Sequence, residues 1–170
     1  MNHTAYDVMR EYMIEGAELD GSYQFPMMPR YTGRPGTDTV DFKDSFDRRI
    51  KNHRDLTVNF YIHDNEFEKI WNCPDKYIEH LKCFNSVIAP DFSMAVGEGG
   101  MPFAMNIWQK YRNHAIAHYL HMNGIRMIPN VNIPPEYCYD WIFVRNTKKK
   151  HGCLLHQWAS EVKSITTGIL

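Results

Sequence analysis

The sequence predicts an α/β fold, with a parallel sheet built from repeated strand–helix units, arranged as a partial barrel or as an open doubly wound sheet. Three observations carry that prediction. Residues 57–63, TVNFYIH, are β-branched and aromatic, and 86–92, SVIAPDF, form a short apolar run suited to a strand buried on both faces. Long segments with helical spacing follow each of them. The order strand, helix, strand, helix, strand then leaves connections long enough for right-handed crossovers.

The elements follow in chain order. Residues 4–15 read as an amphipathic helix with Val8, Met9, Tyr12 and Met13 on one stripe and Gly16 near its stop. Residues 20–55 are irregular, broken by Pro26, Pro29, Gly33, Pro35 and Gly36. The stretch RYTGRPGTDT reads as a plain connection, with a loop folding over a pocket as the alternative. Residues 43–55 read as a solvated face or short helix. After the 57–63 strand, Asp64 or Asn65 is placed to cap a helix carrying Phe67, Ile70 and Trp71. Pro74 breaks it near Asn72 and opens a second piece with Tyr77, Ile78, Leu81 and Phe84.

The loop VGEGGMP after the second strand lacks the spacing and the lysine of a phosphate-binding loop, so it reads as flexible. Residues 103–123 form the longest helix, with Ile107, Trp108, Tyr111, Ala115, Tyr119 and Met122 on its expected core face and Gly124 at its C-cap. A third strand spans 125–133. One α/β domain therefore covers 1–143, and 144–170 is an atypical tail.

Bulk properties set bounds on function. The 170 residues suffice for one core, with 44% hydrophobic and 23% charged residues. A net charge of -1 gives no basic signature for nucleic acid. No apolar run is long enough to span a bilayer, and the N-terminus does not read as a signal peptide. Cys73, Cys83, Cys138 and Cys153 form no C-x-x-C pair and read as reduced thiols. His114, His118 and His121 share a helix face without the glutamate of a metalloprotease motif or a third ligand, so no metal site is read from them.

In parallel α/β folds ligands bind at the carboxyl ends of strands. Here those ends carry His63-Asp64, Pro90-Asp91 and Pro129-Asn130. Asp91, Asp64 and Asn130 are the catalytic candidates, because neighbouring carboxylates can divide acid and base roles or hold a divalent metal. Ser93, Arg112, Trp108 and His63 are the binding candidates. Each carboxylate also has a structural reading, Asp64 as a helix cap and Asp91 as a turn residue. No cofactor is read from the sequence.

The segments VNFYIHDNEFEKIWNCPDKYIEHL, SVIAPDFSM, NIWQKYRNHAIAHYLHMNGIRMIPNV and EYCYDW, in that order over residues 57–141, resemble the domain of unknown function 4417 family. Pro90 to Ser93 is the most specific piece, and Trp108 to Arg112 is next. The resemblance implies a phage or mobile-element origin; the expected location is cytoplasmic, in the host cell if the chain is phage-encoded, and the partner is left open, with a host or phage protein as one candidate. It implies no established activity. After Trp141 the family pattern continues Phe-Asp-Gly-Ile/Leu-Pro, whereas this chain reads FVRNTKKKHGCLLHQWASEV. Moved one nucleotide forward, codons for Val144 to Trp158 can encode a family-like continuation. The tail from about residue 144 is therefore expected to be out of frame, and a divergent native helix is the alternative.

Two readings of function follow. The favoured one is a binding or accessory protein, or a truncated remnant. The other is a metal-assisted or acid/base hydrolase at the strand ends.

Overall fold

The computed structural model describes residues 9–28 and 30–130. The chain enters through a single 3-10 turn, Glu11–Ile14, preceded by Arg10 in the left-handed region at φ 57°. Over the described residues this replaces the helix expected at 4–15, because a left-handed residue interrupts the helical path. A two-residue hairpin follows, β1 (Leu19–Asp20) with β2 (Phe25–Pro26).

The main sheet begins with a strand that the sequence did not disclose, β3 (Asp38–Asp41). It pairs in parallel with β4 (Leu56–Asn59), which pairs in parallel with β5 (Ser86–Ile88) and then β6 (Met127–Ile128). The order β3-β4-β5-β6 is consecutive, as in barrel segments, with no reversal among the described strands. The strands are shorter than the expected 57–63, 86–92 and 125–133. Past each pairing segment the chain turns to build the carboxyl edge.

Between β4 and β5 lie α1 (Asp64–Asn72) and α2 (Asp75–Lys82), separated at Cys73–Pro74 as the proline required. Phe67, Ile70 and Trp71 of α1 and Ile78 and Leu81 of α2 are buried, at the spacing that gives each helix one apolar face. Between β5 and β6 runs α3 (Phe103–Met122), followed by Gly124 at φ 86°. That left-handed turn is what a glycine after a helix provides.

Val58, Val87 and Met127 stand in register across β4, β5 and β6, and all three are buried. Each such side chain contributes roughly 1.5–3 kcal/mol by leaving water. At the amino edge, Gly36 N–H donates to Thr57 Oγ1 at 2.8 Å. A Cβ on Gly36 would lie 2.5 Å from the Asp55 carbonyl, so only glycine fits there. The RYTGRPGTDT stretch thus joins the sheet at the end opposite the strand carboxyl ends.

α3 meets the core only partly through the expected stripe: Ala115 is fully buried, and Trp108, Tyr111 and Tyr119 pack against the core cluster. Ile107, Trp108, Tyr111 and Tyr119 are only half-buried, and Met122 is 64% exposed. The buried side of its first half is polar: Asn106, Gln109, Lys110, Asn113 and His114. Residues expected beyond 130, including the tail at 144–170, lie outside the described residues, as do Cys138 and Cys153.

Candidate functional site at the strand carboxyl ends

A row of aromatic rings underlies the carboxyl edge. Phe42 follows β3, Phe60 follows β4 and Phe92 lies beyond β5, with Phe67 of α1 between the last two. Centroid spacings are 4.9 Å for Phe42–Phe60, 5.4 Å for Phe60–Phe67 and 4.6 Å for Phe67–Phe92. All four are fully buried. They hold the loops leaving the strands against the rest of the core.

The buried polar stripe of α3 explains itself residue by residue, with one exception. Asn113 accepts from Phe92 N–H at 2.8 Å and donates to Phe92 C=O at 3.3 Å, so its amide acts as a strand partner for the chain beyond β5. Asn106 does the same for Ala95, accepting at 2.9 Å and donating at 3.1 Å, and also donates to Met101 C=O. The glycine-rich loop is therefore tied down at both ends. Arg112 donates to Glu68 Oε1 at 2.7 Å and to Gln109 Oε1 at 3.0 Å, and its guanidinium lies 3.6 Å from the Phe92 ring centroid. His114 Nδ1 lies 2.8 Å from Pro26 C=O. A carbonyl only accepts, so Nδ1 carries the proton and Nε2 presents a lone pair.

Lys110 is the exception. It is 2% exposed, yet its ammonium nitrogen is not among the side-chain atoms buried without a partner. Burial pulls its pKa down to about 8, against the opposing pull of the Asp91 carboxylate. Asp91 also raises Tyr61, after the larger effect of lost solvation at the hydroxyl. Tyr61 Oη donates to Asn130 Oδ1 at 3.3 Å, while Asn130 Nδ2 is buried without a hydrogen-bond partner. His114 Nε2 is likewise buried and unpartnered. Burial first, then Lys110, drops the His114 pKa to about 3, so the ring stays neutral. Asp91, Lys110, Tyr61, Asn130 and His114 thus form one electrostatically linked group from the ends of three strands and one helix.

Asp64 lies apart from that group. It is the first residue of α1, not its cap, and His63 in the cap position makes no side-chain bond and is exposed. The Asp64 oxygens instead accept from Ser93 N–H at 3.1 Å and Ser93 Oγ at 2.9 Å, with Gln109 Nε2 at 3.4 Å. Asp64, Ser93, Gln109, Arg112 and Glu68 make a second network that clamps the loop after β5 onto α1 and α3. Trp108 joins neither network. It stacks on Tyr111 at 5.5 Å and, with Met9, Ala104 and Ile107, lines an apolar groove of about 280 Å³. No group of three or more His, Cys, Asp or Glu side chains fit to hold a metal occurs among the described residues. No helix of the described residues is long and apolar enough to cross a membrane.

The sequence does not single out Lys110 or Tyr61, and it presents His114 only as part of a histidine face with His118 and His121. Their signal was there, because Asn106, Gln109, Lys110, Asn113 and His114 recur at helical spacing on a helix otherwise rich in aromatic residues. The neutral His114 makes acid sensitivity testable. Its folded pKa lies below the unfolded 6.5, so its contribution to stability is full above that pH and is lost as pH falls toward 3. The urea midpoint is expected to fall across this window, and to fall less in His114→Gln. Equal slopes would show that His114 is not held neutral.

The chain resembles proteins of two mycobacteriophages. It is 29% identical over 105 residues to the Gene 1 protein of Mycobacterium phage L5, covering 56% of this chain and 44% of that protein. It is 26% identical over 86 residues to the Gene 1 protein of Mycobacterium phage D29, covering 51% of this chain and 31% of that protein. The matched region therefore spans less than half the length of these relatives. No solved structure matches the chain. The family model described as Domain of unknown function (DUF4417) matches residues 17–154, starting before the resemblance at 57–141 and running past the point where the tail departs, and the chain belongs to that family.

Proposed function

We propose that this phage-related protein binds a small polar ligand at the carboxyl edge of its parallel sheet and acts on it by acid–base chemistry. The observation that carries the reading is Lys110, a lysine 2% exposed whose pKa is pulled down by burial although the Asp91 carboxylate at a strand end opposes the shift. The other polar side chains of that helix face are bonded to the backbone or to neighbouring side chains. A ligand would supply what Asn130 Nδ2 and His114 Nε2 lack. Asp91 is the candidate base, and Tyr61, held protonated by its raised pKa, is a candidate proton donor. Asp64 and Ser93 act as positioning residues, because their bonds hold the Asp91 loop in place.

Thermal melting with a panel of neutral sugars and nucleosides tests this. A ligand at 100 times its Kd should stabilise the wild type by about 2.7 kcal/mol through mass action. Asp91→Asn and Lys110→Met should lose that shift while keeping the wild-type circular dichroism. A shift equal in all three proteins would place binding elsewhere, and no shift with any compound would count against the site.

A second reading, docking of a host or phage protein in the host cytoplasm, is favoured by a different observation. The Met9–Trp108–Tyr111 groove is apolar, and Phe103 and Met105 beside it are about half exposed.

A further inference from the structure

We propose that Phe42, Phe46 and Tyr77 form an aromatic cage for a trimethylammonium group, with the Lys69 ammonium standing in the place of that group. The cage lies beyond the end of β3 and uses none of the side chains of the strand-end site proposed above.

The geometry of the rings carries it. They meet at steep angles, 80° for Phe42–Phe46, 74° for Phe42–Tyr77 and 72° for Phe46–Tyr77, with centroids 5.5, 5.4 and 6.1 Å apart. Rings set this way make the walls of a box and not a stack. Lys69 Nζ lies 5.2 Å from the Phe42 centroid, 5.2 Å from that of Phe46 and 6.0 Å from that of Tyr77, so one cation is within reach of all three ring faces. The walls are also fixed in advance. Phe42 packs on Phe60 at 4.9 Å. Phe46 is 42% exposed, yet its ring stacks on His80 at 4.1 Å and 11°. His80 is held in turn. Ser45 Oγ donates its one proton to Phe42 C=O at 2.7 Å, so it accepts from His80 Nε2 at 2.9 Å.

The present occupant is placed to leave. Lys69 is exposed, whereas Phe67, Ile70 and Trp71 of the same helix are buried. Its side chain can turn into water without opening the core. Carboxylates flank the box along the chain, Asp41 and Asp44 on either side of Phe42 and Glu66 one turn before Lys69 on α1. Glu66 is paired with Lys43 at 2.8 Å. A trimethylammonium group suits the box better than the lysine does. Its methyl groups meet ring faces directly, while a primary ammonium is strongly hydrated and gives up bonds to water there. A lysine that only latches α1 to the loop after β3 would leave no binding site when removed. A lysine in a ligand's place would uncover one.

Choline, followed on the full chain by the proton resonance of its methyl groups, tests the proposal. Ring faces on three sides should move that resonance upfield in a saturable titration. Lys69→Ala should tighten binding roughly tenfold, because the competing cation is gone. Adding Phe46→Ala to that variant should weaken binding by roughly tenfold with the circular dichroism unchanged. The carbon isostere of choline, which has its shape without the charge, should not compete. An isostere that binds as tightly as choline would overturn the proposal. So would the lack of a saturable shift in Lys69→Ala, or an affinity that Phe46→Ala leaves unchanged. Free N-ε-trimethyllysine separates the sources of the group: binding tighter than that of choline assigns it to a methylated protein side chain, and weaker binding assigns it to a small free amine.

Discussion

Lys110→Met is expected to make the protein more stable, by about 1–3 kcal/mol at pH 7. The reason is the buried cation. Lys110 is buried, and desolvation pulls its pKa from 10.5 to about 8 against the smaller opposing effect of the Asp91 carboxylate. Methionine has a similar length and fills the same space without a charge. The gain falls short of the full penalty because Asp91 loses a favourable neighbour.

The pH dependence gives the sign. The folded pKa lies below the unfolded one, so between about pH 8 and 10.5 the unfolded chain binds more protons. Wild-type stability should therefore rise across that window relative to Lys110→Met, by up to about 3 kcal/mol, and the advantage of the variant should disappear. Asp91, Tyr61 and His114, the other titratable groups around Lys110, are common to both proteins. Urea unfolding at pH 7, 9 and 10.5 checks this. A variant less stable than wild type at pH 7 would show that Lys110 has a stabilising partner in the protein.

Phe92→Ala should have the largest effect in the other direction, a loss of about 3–5 kcal/mol, which lowers the melting midpoint by roughly 10 °C. Phe92 is fully buried, packs on Phe67 at 4.6 Å and carries the Arg112 guanidinium at 3.6 Å. Truncation leaves a cavity and removes the cation–π contact together. The backbone of the same residue bonds Asn113, so the loop bearing Asp91 and Ser93 should loosen with it. Circular dichroism melting measures the drop. A loss below about 1 kcal/mol would mean that the site loop is not anchored through this ring.

The Pro90–Ser93 segment illustrates what the sequence could and could not disclose. The apolar run 86–92 that contains most of it marks β5 but overshoots the strand, which ends at Ile88, and its family-specific character gives Asp91 more weight than Asp64. Its distinctiveness has a structural component, since Phe92 and Ser93 anchor the loop through Asn113 and Asp64. Asp64 itself was read as a cap from local position, whereas its partner lies 29 residues away. Local spacing cannot report a bond of that range.

Two other misreadings share a cause. β3, DTVD, buries no residue fully and lies at the edge of the described sheet, so it lacks the apolar density that marked β4 and β5. The orientation of α3 was read from its aromatic stripe. Asn106 and Asn113 instead bury the polar side by bonding to loop backbone, a compensation that appears only when the loops are in place. Lys110 was hidden with them. The proline break between α1 and α2 and the glycine after α3 were legible because each acts through its own backbone.

The most direct measurement is the titration of Lys110 itself, followed by the NMR chemical shift of its 13Cε, assigned by comparison with Lys110→Arg. A midpoint near 8 is the expected result and would establish a buried amine whose desolvation outweighs the pull of Asp91. A midpoint at or above 10.5, the ordinary value of an exposed or ion-paired lysine, would contradict it and remove the basis for a ligand site there.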